Sequence, residues 1–199
     1  PGQRPPYQGA NPHSDLGSLE AIRLGGRYLV RAVRDPADHE ARNAMMYAAT
    51  MAGISFGNAG VHIPHAMSYS VAGMIRRYQP EGRPSDHALC PHGISVVVNA
   101  PAAFRFTAAG SGHRHLQAAR ALGAEVDAAD AGEALAGAFV GLMRAAGIPN
   151  GLSALDYGDE DRPALVDGAF RQQRLLKQSP RPVGVSDLTG IYRDAMSYW

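Results

Sequence analysis

The sequence predicts an all-α protein, a single bundle of helices, and three observations support this prediction. Apolar residues recur at intervals of three or four along several stretches, which is the period of an amphipathic helix. Alanine is abundant and there are 23 glycines, while aromatic residues make up only 7% of the chain, as is typical of helices that pack at close range. Strand signals are nearly absent, and the one stretch with a strand-like composition runs from 93 to 98.

Length and charge limit the classes of function that the chain can have. At 199 residues it is long enough for one domain with a substantial core, and its 19 basic and 18 acidic residues nearly cancel. This balance gives no argument for a nucleic-acid partner or an anionic membrane surface, and no apolar run approaches the roughly 20 residues of a membrane span. The single cysteine, Cys90, excludes an intrachain disulfide, so we expect a reducing compartment, the cytoplasm.

The first two helices follow a segment without helical pattern. Residues 1–14 are expected to form an extended leading segment, since the first twelve are rich in proline and glycine, and a helical domain is expected over 15–199. Ser14 or Asp15 is predicted to cap the first helix, with a buried face of Leu16, Leu19, Ile22, Gly26, Leu29 and Val33. Asp35 and Pro36 are predicted to begin the second helix, which has a small inner face of Ala41, Ala44, Met45, Ala48 and Ala52.

The middle of the chain contains two ambiguous stretches. Between 53 and 60 there are three glycines, each of which costs a helix about 1 kcal/mol relative to alanine, so the residues alone predict a loop. Helix is expected to resume at Pro64, to continue from 66 to 78, and to be followed by a polar connection. Between 93 and 98, β-branched residues favour a buried strand, with a buried helix that begins at Pro91 as the alternative.

The second half of the chain gives clearer helix signals. A short helix is predicted from His115 to Leu122, and a longer one over 131–146 that ends before Gly147. The longer helix has an apolar face of Leu135, Phe139, Leu142 and Met143. Two short helical pieces are predicted over 161–169 and 170–178. Ser186 is expected to cap a last helix that buries Leu188, Ile191 and Ala195.

Two histidines, His65 and His92, lie among small residues that allow the backbone to crowd close. Neutral imidazole is a ligand for divalent metals, so the pair could supply two ligands of a metal site. Only a tertiary pocket could unite residues so far apart in sequence. A chance pair among 8 histidines is the competing interpretation, and spacing alone favours it.

Residues next to the first of these histidines are further candidates. Tyr69 lies one helical turn after His65 and could place a hydroxyl near a metal-bound oxygen, although a packing role fits it equally well. His62 lies three positions before His65 and is a weak additional ligand candidate. Cys90 is expected to be a buried thiol rather than a metal ligand.

Other polar residues carry weaker signals. Arg76, Arg77 and Arg83 could bind a substrate carboxylate, but a solvated helix end is the favoured interpretation. His113 and His115 are expected at the solvated surface. No dinucleotide-binding glycine motif, P-loop or nucleophile elbow is present in the sequence.

Three motifs together carry a resemblance to a known family. The run GISFGNAGVH at 53–62, the following HAMSY at 65–69 and PHG at 91–93 resemble the iron-containing (group III) alcohol dehydrogenase family. Tyr69 makes the chain similar to the hydroxyacid-oxoacid transhydrogenase branch, because many other relatives have histidine there. PYQGANP at 6–12 and PRP at 180–182 are also similar to that branch, so the resemblance covers essentially the whole chain.

The resemblance implies a helical C-terminal domain that holds a divalent metal, with iron first and zinc as the alternative, through one aspartate and three histidines. His65 and His92 match the last two histidines, and Tyr69 and His62 would line the substrate side. The other two ligands belong to a D-x-x-x-H helix that would precede Pro1, and NAD(P) would bind an N-terminal domain absent from this chain. The resemblance assigns no catalytic residue, and it implies helix over both 53–60 and 93–98.

The implied function is hydride transfer, in the intact enzyme, between a small hydroxy acid such as 4-hydroxybutyrate and a 2-oxo acid such as 2-oxoglutarate, or NAD(P). With half of the ligands absent, the chain alone is expected to bind metal weakly and to show no dehydrogenase turnover. Two alternatives stay open. The chain could be one half of a split enzyme, completed by an N-terminal half or by oligomerisation, or a non-catalytic helical assembly module.

Overall fold

The computed structural model describes residues 7–82, 86–126 and 130–199. Within these ranges the chain forms helices and connections without strands, which confirms the all-α prediction. None of the helices in this described part is long and apolar enough to cross a lipid bilayer. The α-helices in chain order are α1 (Pro12–Arg34), α2 (His39–Ala59), α3 (Ile63–Gly73), α4 (His92–Val97), α5 (Ala100–Ala121), α6 (Ala131–Ala145), α7 (Arg162–Phe170), α8 (Gln173–Leu176) and α9 (Val185–Asp194).

The helices pack around two separate hydrophobic clusters. The smaller cluster lies between α1 and α2 and is built on Leu24, Tyr28, Ala41 and Ala48. The larger one joins α3, α7 and α9, with α5 contributing Ala102 and Ala103. Helix α5 also packs against α6 and α1, so it connects the two clusters.

Helix α1 begins earlier than the sequence indicated. Its N-cap is Asn11, whose side-chain oxygen accepts hydrogen bonds from the backbone of His13 and Ser14, both at 3.1 Å. The hydroxyl of Ser14 in turn accepts from the Asn11 backbone N–H at 3.1 Å. The prediction of Ser14 or Asp15 as cap was therefore wrong, because Asn11 followed by a first-turn Pro12 satisfies the free N–H groups three or four positions sooner.

The buried face of α1 also differs from the predicted stripe. Leu24 and Tyr28 point into the core, while Leu16 is 74% exposed and Val33 is 50% exposed. The period was identified correctly, but its phase was displaced, because α1 buries Gly17, Leu24 and Tyr28 rather than Leu16 and Val33.

Helix α2 begins at a different cap and continues through the glycine-rich stretch. Asp38, rather than Asp35, is the cap, and its carboxylate accepts a hydrogen bond from the Ala41 N–H at 2.9 Å. The predicted small inner face is confirmed by the buried Ala41 and Ala48. The loop predicted from the residues at 53–60 was wrong, because packing against α1 outweighs the cost of the glycines. The helix ends at Gly60, whose φ of 84° favours glycine.

The stretch at 93–98 is helical, as the family resemblance implied, and the strand prediction was wrong. It forms α4 and leads through Asn99 into α5, so that Val98 packs in the larger cluster. The predicted helix at 115–122 is only the second half of α5. The first half was missed because its alanine-rich sequence has no apolar period.

Helix α5 is kinked at Ser111, which has non-helical dihedral angles of −159° and 45°. The ring of His115 braces this kink, with Nδ1 2.8 Å from the Ser111 carbonyl oxygen and Nε2 2.9 Å from the Thr107 hydroxyl. His115 is therefore buried, and the prediction that it lies at the solvated surface was wrong.

The remaining helices follow the predictions with shifted ends. Helix α3 stops at Gly73 instead of continuing to 78, and α6 ends before Gly147, which has the expected positive φ of 69°. Ser186 does not cap α9. Gly184 is the cap residue, and its N–H donates to the Asp187 carboxylate at 2.8 Å.

Candidate functional site

The structure brings His65 and His92 together. His65 lies in the first turn of α3, where Pro64 fits because that position has no helical N–H partner to lose, and His92 is the first residue of α4. The centroids of their two imidazole rings are 5.3 Å apart and the ring planes are inclined by 58°. Two helix N-termini thus present the histidines to the same space.

The backbone turn that carries each histidine is fixed by the same type of hydrogen bond, from a serine hydroxyl three residues later. The Ser68 hydroxyl donates to the His65 carbonyl at 2.8 Å, and the Ser95 hydroxyl donates to the His92 carbonyl at 2.8 Å. Both serines are buried, so neither hydroxyl is free to exchange this bond for water. Each histidine therefore lies on a backbone turn that the core holds in place.

The electrostatics favour neutral imidazole at this pair. Burial of His65 and the proximity of His92 both lower the pKa of His65 below its ordinary value of 6.5. Metals bind the unprotonated ring nitrogen, so this environment keeps His65 in its metal-binding form near neutral pH.

The donor set fits part of a metal centre. Two imidazoles suit iron or zinc, but the described residues contain no cluster of three or more His, Cys, Asp or Glu side chains that could hold an ion. Cys90 lies close in sequence to His92 but is buried, and burial raises the pKa of its thiol to about 11. The burial of Cys90 is in line with the expectation that this cysteine is a buried thiol.

Tyr69 and His62 occupy different surroundings. Tyr69 is 51% exposed on α3, one turn after His65. The ring of His62, the N-cap residue of α3, is desolvated, which lowers its pKa to about 4, and its Nδ1 has no hydrogen-bond partner among the described residues. The backbone carbonyl of His62 accepts from the His65 N–H at 3.0 Å.

His62 also lines a cavity of about 430 Å³ between α1, α5 and the end of α2. Other polar residues of the lining are Ser14, Asp15 and Ser18 from α1, Ser111, Arg114 and His115 from α5, and Gln178. Apart from His62, none of these was a candidate from the sequence. They come from distant segments and form no motif, so no sequence signal identifies them.

The arginines that were candidates for binding a carboxylate are tied to the protein itself. Arg76 donates to both oxygens of the buried Asp161 carboxylate at 2.6 and 2.8 Å, and to the Asp156 carbonyl at 2.8 Å. Arg77 lies 3.5 Å from the Asp156 carboxylate. Arg76 is thus exposed just beyond the end of α3, as the favoured interpretation expected, and it is paired with Asp161 rather than free for a substrate. Arg83 lies outside the described residues.

Comparison with known proteins gives a consistent result. The profile of the Fe-containing alcohol dehydrogenase family, C-terminal part, matches residues 7–196. The mitochondrial hydroxyacid-oxoacid transhydrogenase of Rattus norvegicus is 44% identical over 202 residues, which cover 100% of this chain and 43% of that protein. Its counterpart from Xenopus tropicalis is 45% identical over 202 residues, which cover 100% of this chain and 44% of that protein. The chain therefore spans less than half the length of these relatives.

Solved structures show the same fold. A 1,3-propanediol oxidoreductase superposes with a TM-score of 0.82 at 28% sequence identity, covering 94% of this chain and 46% of that one. The alcohol dehydrogenase from Oenococcus oeni superposes with a TM-score of 0.83 at 25% sequence identity, and the superposition covers 96% of this chain and 47% of that one.

Proposed function

This chain belongs to the iron-containing alcohol dehydrogenase family as its C-terminal domain, and from this membership we propose that His65 and His92 supply two ligands of a catalytic divalent metal. The observation that carries the proposal is the 5.3 Å separation of the two imidazole rings, on first turns that buried serines hold. Iron is the proposed metal, with zinc as the alternative. The proposed reaction is hydride transfer between a small hydroxy acid and an oxo acid or NAD(P).

The chain's own residues would have distinct tasks in this reaction. A bound divalent ion would polarise the substrate oxygen as a Lewis acid. His65 and His92 would hold that ion, and their neutral rings leave its charge available to the substrate. Tyr69, exposed on the same helix as His65, would contribute a hydroxyl at the substrate side, and His62 would form part of the substrate wall.

Two histidines alone do not complete a catalytic metal site, which normally has three protein ligands. We propose that the remaining ligands and the nicotinamide site come from outside the described residues, either from further sequence or from a complementing chain. The 199-residue chain by itself is then expected to bind metal weakly and to show no dehydrogenase turnover.

Titration of the purified chain with Co²⁺, followed by visible absorption, and with Zn²⁺, followed by calorimetry, tests the ligand assignment. His65→Ala and His92→Ala are each expected to weaken binding by about tenfold or more, because one of two ligands is lost. The control is His39→Ala, at the opposite end of the 21-residue helix α2, about 30 Å from its other end. Equal metal affinity in the double variant and the parent would refute the assignment and favour an assembly module.

The proposed compartment is the cytoplasm, because the only cysteine is unpaired and buried. The curated relatives above carry the word mitochondrial in their names. Fractionation of cells that produce the natural protein, with blotting of each fraction, tests this proposal.

A further inference from the structure

The cavity of about 430 Å³ beside His62 is lined by several polar side chains that have no hydrogen-bond partner among the described residues. Within the described ranges, the Ser18 and Ser111 hydroxyls, the Gln178 amide and the His62 ring make no hydrogen bond to the protein. These side chains come from four separate segments and converge on one space. A volume of this size is typical of sites for small molecules.

The ring of His62 is set up as a hydrogen-bond donor towards such a ligand. Its Nδ1 atom is shielded from solvent and has no hydrogen-bond partner in the part of the chain that the structure describes, so a proton on Nδ1 would be buried without an acceptor there. A neutral imidazole then carries its proton on Nε2. The group that His62 offers to a ligand is therefore an N–H, which calls for an oxygen acceptor.

Arg114 supplies a second donor and a positive charge. One of its terminal nitrogens contacts the Asp15 carboxylate, and its other N–H groups have no partner in the described part of the chain. A guanidinium with free N–H groups matches a carboxylate. Because Asp15 offsets part of the charge, the cavity suits a ligand with one carboxylate and an otherwise uncharged body rather than a phosphate dianion.

We propose that this cavity binds the carboxylate of a small organic acid, through Arg114 and the Nε2–H of His62. The assignment rests on the proposed function, since it places the acid end of the proposed hydroxy-acid substrate. His62 links the two sites, because its carbonyl accepts from the His65 backbone N–H at 3.0 Å while its ring lines the cavity. Neither Arg76 nor Arg77, which face Asp161 and Asp156, takes this role.

The test is a titration of the ¹⁵N-labelled chain, without added metal, with 4-hydroxybutyrate and with butane-1,4-diol, which has a hydroxymethyl group instead of the carboxylate. Two-dimensional NMR spectra report which residues respond. We expect saturable shifts at the cavity residues with the acid, and affinity for the diol lower by about tenfold or more, because a charge-assisted hydrogen bond is lost. Equal binding of the diol, or no shifts at the cavity with the acid, would overturn the proposal.

Variants separate this site from the metal ligands. Arg114→Gln and His62→Phe are expected to weaken binding of the acid, by about tenfold for Arg114→Gln. The matched control is Arg105→Gln, which also removes an arginine–carboxylate pair from α5, here with Glu133, but outside the cavity. Affinity of Arg114→Gln equal to that of the control would overturn the proposal, with circular dichroism showing that each variant is folded.

Two further experiments test whether the cavity prefers an organic acid to other anions and whether it is separate from the metal ligands. Inorganic phosphate that displaces 4-hydroxybutyrate at equal concentration would show a general anion site and overturn the assignment to an organic acid. The His65→Ala, His92→Ala double variant is expected to keep its affinity for the acid. Both proposals therefore expect this double variant to lose metal binding and to keep acid binding. Metal binding that persists in it would refute the ligand assignment alone, and acid binding that is lost in it would refute the separate acid site in the cavity.

Discussion

The hydroxyl groups of Ser70 and Tyr192 lie 2.8 Å apart in the buried interior. Ser70 also contacts the Leu165 carbonyl oxygen at 3.0 Å, and the Tyr192 hydroxyl lies 3.2 Å from the Met67 carbonyl oxygen. This small network joins α3, α7 and α9 directly behind the turn that carries His65. The network therefore anchors the helix that carries His65 to α7 and α9.

Tyr192→Phe is expected to lower the free energy of unfolding by about 1–2 kcal/mol, because the ring still packs while the buried hydrogen bonds are lost. Urea denaturation followed by circular dichroism measures the change. The control is Tyr69→Phe on the exposed side of α3, where the change should stay within about 0.5 kcal/mol. Equal stability of the two variants would contradict the role of the network.

Two adjacent glycines of α1 are expected to respond in opposite directions to alanine. A Cβ at Gly26 would meet the Leu122 backbone, with the carbonyl carbon at 2.8 Å, whereas a Cβ at Gly25 would have nothing within 4 Å. Gly26→Ala should destabilise the protein by about 1–3 kcal/mol, since backbone cannot move aside as a side chain can. Gly25→Ala should stabilise it by up to about 1 kcal/mol. Thermal denaturation of both variants measures these changes in stability. A stabilising effect of Gly26→Ala would show that α1 and α5 are not in close contact.

The Arg76–Asp161 pair is expected to make stability depend on acid pH. The Arg76 guanidinium and the Gly158 N–H hold the pKa of Asp161 down at about 2. A carboxylate with a lowered pKa stabilises the fold above the ordinary carboxyl pKa of about 4, and this contribution disappears as the pH falls through about 2. Asp161→Asn should therefore lower Tm at pH 6 and lose its difference from the parent near pH 2.

The exposed Asp167 makes a suitable comparison, because its pair with Arg171 lies at the surface. Surface pairs contribute little to stability, so Asp167→Asn should leave Tm nearly unchanged at every pH. A Tm difference for Asp161→Asn that does not shrink on acidification would exclude this ion pair as its cause.

Cys90 is expected to react slowly with alkylating reagents in the folded protein. Burial raises the pKa of its thiol to about 11, so at pH 8 the reactive thiolate is about 100-fold scarcer than for an ordinary cysteine. Iodoacetamide labelling followed by mass spectrometry should show at least this difference between native and urea-unfolded chain, with the native rate rising as the pH approaches the thiol pKa. Equal native and unfolded rates at pH 8 would contradict the buried position.

Sequence patterns predicted the helical class and most of the helices because the apolar period is a local property. These patterns failed where contacts between distant parts of the chain determine the extent of a helix. Helix α2 continues through its glycines because α1 packs along it. The first half of α5 is rich in alanine, whose burial depends on the neighbouring helices. Cap positions were missed where a residue outside the apolar pattern, such as Asn11 or Asp38, satisfies the free N–H groups.

The candidate site was predictable only in part. His65 and His92 were identified through their motifs, whereas spacing alone favoured a chance pair. The cavity could not be predicted, because Ser18, Arg114 and Gln178 belong to unrelated patterns and meet only in the folded chain. The partnerless Nδ1 of His62 likewise depends on what surrounds it in space rather than on its neighbours in sequence.

The kink at Ser111 has a consequence for motion in the native state. Before the kink, α5 belongs to the larger hydrophobic cluster, and after it α5 lies against α1. We therefore expect the two halves to open as separate cooperative units, with the His115 ring bonded to Thr107 and Ser111 across the break. The amide protons after Ser111 should then exchange with solvent independently of those before it. We then expect the width of the cavity, which borders the kink, to vary with this local opening rather than with global unfolding.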